Sequence, residues 1–271
     1  MGQPLPGVQH IIAVASGKGG VGKSTVAMNL AVALSVAGHK VGLLDADVYG
    51  PSQPHMLGVA DDKPVADEGQ NITPVMKHGV KLMSMGFLIE KDTPMVWRGP
   101  MVISALKQML RQVTWAPLDI LVVDMPPGTG DIQLSMAQEV PLSGAVIVST
   151  PQDIALLDAR KGLNMFRKVN VPILGIIENM SYYICPQCGH EDHIFGQDGA
   201  RLTATEFGVP FLGGIPLEAK IRALTDAGQP LAIAAPDSLA ALALQGVAQQ
   251  VWQQLMSRTS AAPGPVKIVI E

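Results

Sequence analysis

Gly17-Lys18-Gly19-Gly20-Val21-Gly22-Lys23-Ser24, followed by Thr25, is the stretch whose reading decides the fold. It fits G-x-x-x-x-G-K-[ST], in which small residues stand where backbone N–H groups close around phosphate oxygens and a Cβ would obstruct the approach. Lys23 then places a charge between β- and γ-phosphates, and Ser24 offers its hydroxyl to Mg²⁺. The context agrees. The apolar run Ile11-Ile12-Ala13-Val14-Ala15 reads as a strand, and Val26, Leu30, Ala33, Leu34 and Ala37 recur at helical spacing up to Gly38, where a C′ glycine would end the helix. That helix points its positive end at the anion. Lys40 to Asp45 then completes a βαβ unit with a right-handed crossover.

The second strand delivers Asp45-Ala46-Asp47 to its carboxyl end, the edge at which open α/β sheets bind ligands. Asp47 can approach a γ-phosphate from there; the competing reading of either acid is a solvated turn carboxylate. Leu118 to Asp124 is a continuous apolar strand ending in an acid, followed by Met125-Pro126-Pro127-Gly128-Thr129-Gly130-Asp131. This is the Walker B arrangement, in which Asp124 holds Mg²⁺ through water and the loop after it can respond to the γ-phosphate. Asp131 is read as the cap of the next helix.

Strands are also predicted at 80–87, 144–150, 173–177 and 209–215, and helices at 100–115, 153–169, 199–207 and 219–227. A last helix follows Pro236, with Leu239, Leu242, Val247, Val251 and Leu255 facing the core. Alternation of this kind means an α/β, three-layer P-loop NTPase-like fold: a mostly parallel central sheet covered by helices on both faces. Residues 49–78 read as a short helix and an irregular excursion. The methionines at 83, 85, 95, 101 and 109 read as core filler. We expect a lead-in over 1–9, one ATPase domain over 10–257, and a flexible tail over 258–271 in which Lys267 to Glu271 can form an edge strand.

The 271 residues suit one large domain; 48% are hydrophobic and 15% charged, which favours a globular core over disorder. A net charge of −4 and a pI near 5.8 argue against nucleic acid as a partner of the whole domain. Apolar runs are too short and broken for a membrane span, and the N-terminus lacks signal-peptide regions. Met1-Gly2 opens like a myristoylation signal, but Pro6 stands where Ser or Thr is wanted. The expectation is a cytoplasmic protein without stable membrane association, or a mitochondrial-matrix one if a presequence has been removed.

Lys18 adds a charge the phosphate cradle does not need. K-G-G-x-G-K-[ST] resembles the deviant P-loop of the MinD/ParA superfamily, which implies that Lys18 reaches the nucleotide of a facing subunit and that ATP is sandwiched in a homodimer. The same resemblance implies that Asp47 activates the attacking water, that Asn179 in Glu178-Asn179-Met180 reads the adenine ring, and that Pro216 flanks it.

The only two thiols lie in Cys185-Pro186-Gln187-Cys188, with His190 and His193 close behind. Two intervening residues let both sulfurs face one metal. Three readings stand: a zinc site with both histidines, in a zinc-stabilised ATPase; a thioredoxin-like redox pair; or half of a ligand set. A [4Fe–4S] cluster usually takes four cysteines, so two chains would close the third kind of site.

The motifs GKGGVGKST, DADVYGPS, MSMGF, WRGPMV, DMPPGTGD, STPQ, ENMSY, CPQC and HIFG together resemble the Mrp/NBP/ApbC family of iron–sulfur cluster carrier ATPases, over roughly residues 8–258. The resemblance implies a slow ATP hydrolase that holds a [4Fe–4S] cluster between two subunits through Cys185 and Cys188. It would accept clusters from the assembly machinery and pass them to apo iron–sulfur proteins. The rival is a ParA/MinD-like positioning or partition switch.

Overall fold

The computed structural model describes residues 3–69, 71–88 and 99–260. β1 (Val8–Ala15) enters the phosphate loop and α1 (Lys23–Val36) leaves it. β2 (Val41–Asp45) follows, then the one-turn α2 (Gln53–Met56). An antiparallel pair, β3 (Val65–Ala66) and β4 (Ile72–Thr73), precedes β5 (Val75–Lys77) and β6 (Val80–Ser84). The chain continues through α3 (Gly99–Gln112), β7 (Leu118–Asp124), α4 (Asp131–Glu139), β8 (Gly144–Ser149), α5 (Asp153–Lys168) and β9 (Ile173–Asn179). The hairpin strands β10 (Tyr183–Ile184) and β11 (Glu191–Asp192) come next, then α6 (Gly199–Glu206), β12 (Phe211–Ile215), α7 (Ala219–Asp226), α8 (Leu231–Ala234) and α9 (Leu239–Ser260).

Among the described residues the main sheet has eight strands in the order β12-β9-β8-β1-β7-β2-β6-β5. All pairings are parallel except that of edge strand β5 with β6. Successive residues of β1 serve opposite layers. Ile12 and Val14 pack with α1, α8 and α9, while Ile11, Ala13 and Ala15 pack with the layer of α3, α4, α5 and α6. Helix α1 is buried without a break from Val26 to Leu34, because it lies between the sheet and α9. It ends in a Schellman turn: the N–H of His39 reaches Leu34 O at 3.2 Å, that of Gly38 reaches Ser35 O at 3.0 Å, and Gly38 takes φ +96°.

The three-layer α/β class read from the sequence is thus present, and several details differ. Leu239 and Leu242 are about half exposed (51% each), while Ala240, Ala241, Leu244, Val247 and Ala248 face inward, because α9 rests its small-residue face on α1 and β12. That helix also runs to Ser260, past the 257/258 boundary drawn from sequence. Asp131 does not cap α4: Gly130 occupies the N-cap and Asp131 sits in the first turn, where its charge still favours the helix dipole. Met83, Met85 and Met109 are core residues, but Met101 is exposed. The 49–78 excursion contains β5, whose antiparallel pairing no periodicity in three residues could announce. Met95, the Trp97-Arg98 start of WRGPMV, and Lys267 to Glu271 lie outside the described residues. No described helix is long and apolar enough to cross a membrane.

Candidate nucleotide site and cysteine hairpin

Parallel register brings three strand ends into one row. Asp45 sits beside Asp124 on one side and Ser84 on the other, and Val14, where β1 turns into the phosphate loop, sits beside Asp124. In the loop Gly20 and Gly22 take φ +84° and +80°, the left-handed region that an L side chain resists. Gly22 is also the N-cap of α1 and supplies no side-chain bond to its first turn, so the helix presents free N–H groups there. A Cβ on Gly19 or Gly20 would meet nothing within 4 Å, which leaves the space over the loop to a ligand. Gly17 has a different reason to be glycine: its Cβ would come within 2.1 Å of the Asp158 backbone in α5. Lys18 is half-buried and its carbonyl accepts from Ser16 Oγ at 2.8 Å.

Lys23 is the cation of the row. Its Nζ pairs with Asp124 Oδ1, lies 3.6 Å from Asp47 Oδ2 and donates to Ser24 Oγ at 3.0 Å; Lys23 and Asp124 are both buried. The other Asp124 oxygen, Oδ2, accepts from Gln53 Nε2 at 2.8 Å, and the same amide donates to Ser24 O at 3.0 Å. Asp45 Oδ2 accepts from Ser84 Oγ at 2.9 Å and from the Gln53 backbone N–H at 3.1 Å, and Asp45 Oδ1 accepts from the Asp47 N–H at 3.3 Å. Burial, helped by the neighbouring Asp124 charge, pushes the Asp45 carboxyl up to about 7. Burial also raises Asp47, against the pull of Lys23. Three carboxyl groups thus face one ammonium, and the hard oxygens of Ser24 and Asp124 are the donor chemistry Mg²⁺ prefers.

A cavity of about 250 Å³ opens beside the loop, lined by Gly22, Thr25, Asn179, Met180, Pro216 and Leu217 together with α7 residues such as Arg222. The structure therefore gathers Asn179 and Pro216 next to a loop that lies far earlier in the chain. Asn179 Nδ2 donates to Val21 O at 2.9 Å, so its Oδ1 is the acceptor left for a ligand. A Cβ on Gly22 would meet that Nδ2 at 2.2 Å, which makes the glycine a packing requirement as well as a turn requirement. Beneath the wall, buried Glu178 accepts from Ser181 Oγ at 2.6 Å and from the Ala200 N–H at the start of α6 at 2.8 Å.

The cysteines lie on a separate, thin structure. β10 and β11 pair antiparallel, Cys185 N–H donates to His190 O at 2.9 Å, and Gly189 N–H donates to Cys185 O at 2.9 Å. Gly189 takes φ +72° to make the turn. Both thiols are free; Cys185 is half-buried and Cys188 exposed. The N–H groups of Cys188 and then Gln187, followed by the Cys188 thiol, lower the Cys185 pKa, favouring the thiolate that metals bind. His193 is turned elsewhere: its Nδ1 lies 3.1 Å from Ser181 O and its Nε2 3.5 Å from Glu191 Oε1. Among the described residues no group of three or more His, Cys, Asp or Glu comes together to hold a metal ion, so the Cys₂His₂ set is not assembled. The pair also sits in a hairpin turn rather than at the strand-to-helix junction of redox dithiols.

Sequence reasoning missed Gln53, Ser84 and Glu178. Each is an ordinary polar residue at the end of a strand or in the one-turn α2, and only the packing of the elements reveals what it faces.

A parallel sheet with a two-lysine phosphate loop and acids at the ends of the flanking strands defines a P-loop nucleotide-binding protein of the MinD type. Solved structures agree. The nucleotide-binding protein of Archaeoglobus fulgidus in complex with ADP matches with TM-score 0.75 and 39% identity, covering 83% of this chain and 88% of that one. The cell division ATPase MinD of Pyrococcus furiosus matches with TM-score 0.68 and 25% identity, covering 90% and 98%. A family model described as ParA, the NUBPL iron-transfer P-loop NTPase, matches residues 7–252, and the chain belongs to that family. Among its relatives, the iron-sulfur cluster carrier protein of Haemophilus influenzae is 52% identical over 97% of this chain and 71% of its own length. The mouse iron-sulfur cluster transfer protein NUBPL is 54% identical over 94% and 80%.

Proposed function

We propose that the protein is an ATP-dependent carrier that receives a [4Fe–4S] cluster from the assembly machinery, holds it between two copies of itself and delivers it to apo-proteins. The single observation that carries this reading is the cysteine hairpin: two free thiols, one half-buried and one exposed, with no third protein ligand gathered around them among the described residues. Four thiolates complete such a site, and a symmetric dimer supplies them. The cluster is cargo, and an exposed hairpin suits loading and unloading better than a buried site would.

ATP would lie with its phosphates over Gly19 and Gly20 and its base between Pro216 and Asn179, whose Oδ1 acceptor suits an adenine amino group. Lys23 exchanges Asp124 for phosphate oxygens. Ser24 and Asp124 would hold Mg²⁺, which when bound neutralises charge on the β- and γ-oxygens. Asp47, with a raised pKa, orients the attacking water and accepts its proton, and Lys18 reaches across the dimer.

The test is anaerobic reconstitution followed by iron, sulfide and molar-mass measurement, with and without ATP. The expected result is one four-iron cluster per dimer. A monomer with ATP and iron supplied, or one zinc per chain and no iron, would overturn the reading.

A further inference from the structure

Gln53 is wholly buried and uses both of its amide hydrogens, one on Asp124 Oδ2 at 2.8 Å and one on the Ser24 carbonyl at 3.0 Å. Its backbone N–H meets Asp45 at 3.1 Å. One residue of α2 therefore donates to both carboxyl groups that the parallel register sets side by side, and to the phosphate loop itself. Its own amide oxygen, Oε1, is buried without a hydrogen-bond partner. Buried amide oxygens are rarely left so, and a methionine would fill the same volume without that cost. The residue is thus kept for its donors and not for its packing.

On the nucleotide reading above, Lys23 leaves Asp124 Oδ1 when phosphate arrives, and Gln53 is the contact that remains on the carboxylate. We infer that Gln53 is a positioning residue for Mg²⁺: its amide fixes the plane of Asp124 so that Oδ1 faces the metal shell, and it ties α2 and the Asp45–Asp47 loop to metal occupancy. Lacking that clamp, the Asp124 carboxylate turns freely when Lys23 departs, and the metal shell loses an oriented acceptor. Gln53 meets the phosphate loop at the Ser24 carbonyl, and not at the N–H groups or the Lys23 ammonium that phosphate binds.

The test is calorimetric titration of ATP into wild type, Gln53→Met and Gln53→Leu, in EDTA and over a Mg²⁺ series, together with thermal melts. The expected result is ATP affinity in EDTA equal to wild type within about twofold, with half-saturating Mg²⁺ raised about tenfold or more, as for other outer contacts to metal ligands. The Gln53→Met variant, which removes donors from Asp124 and the Ser24 carbonyl but also the unpaired amide oxygen, should melt within a few degrees of wild type. Unchanged Mg²⁺ dependence overturns the inference. So does a parallel loss of affinity in EDTA, since that makes the amide a structural element of the phosphate loop. Failure of wild type to bind ATP at any Mg²⁺ concentration would be a different result: it would sink the nucleotide reading, and this inference with it.

Discussion

The carboxyl edge of the sheet and the cysteine hairpin treat their polar groups in opposite ways. At the edge, Asp45, Asp124, Lys23 and Gln53 are buried on regular elements and held by several partners each. On the hairpin, the turn between two-residue strands carries two free thiols, one half-exposed and one open to solvent. A site whose electrostatics are fixed by the fold can act on its ligand without reorganising. A site built on a small exposed turn contributes little to folding and is free to be completed, and emptied, from outside.

The comparison breaks most sharply at the thiols. The substitution Cys185→Ala should abolish retention of iron and sulfide after anaerobic reconstitution. Because the turn is exposed and its backbone bonds persist, stability should change by no more than about 0.5 kcal/mol. Iron and sulfide assays with a thermal melt check both halves. A variant that kept its cluster would remove the hairpin from the site altogether.

At the edge, the effect should be large but confined to chemistry. Asp47→Asn should lower ATP hydrolysis about 10²–10⁴-fold, the usual span for a general base, while ATP affinity stays within a few-fold of wild type. Phosphate release and equilibrium binding measure the two separately. Undiminished hydrolysis would reduce Asp47 to a companion of Lys23 and put the water-activating group elsewhere along the row.

How much of this the sequence displays follows the same divide. Strand-forming runs ending in acids, a glycine loop and helical spacing are local signals, and they placed α1, β2 and β7 to within a residue and the end of β1 at Ala15, though that strand begins earlier, at Val8. Lys23, Asp45 and Asp124 are legible because each sits at a predictable end of such an element. Gln53 and Ser84 are not, because their partners are brought in by strand order: Ser84 matters only once β6 lies beside β2. Asp131 and Leu242 fail for a related reason. Which residue caps a helix, and which face it buries, depend on where the chain enters and on what the helix rests against. The cysteine pair is legible as chemistry, yet its hairpin, two residues per strand, is too short for any periodicity to show.

The smallest expected effect concerns the cost of building the edge. Asp45 titrates near 7 in the folded protein against an ordinary 3.8, so the native state binds its proton more tightly than the unfolded chain does. Stability from this group is therefore fully present below about 4 and is lost as pH rises through about 7; Asp47 shifts in the same direction. The nucleotide-free protein should accordingly melt lower at pH 8 than at pH 5.5. Asp45→Asn should flatten that slope and raise stability at pH 8 by on the order of a kcal/mol or two, since the carboxylate's charge is what burial penalises. An asparagine oxygen in the Oδ2 position can still accept from Ser84 Oγ and the Gln53 N–H, and only the long 3.3 Å contact to the Asp47 N–H is given up. Urea midpoints across the pH series decide the matter. A slope that survives the substitution would move the burden to Asp47, and a variant destabilised at every pH would mean that the charge on Asp45 holds the loop more than burial opposes it.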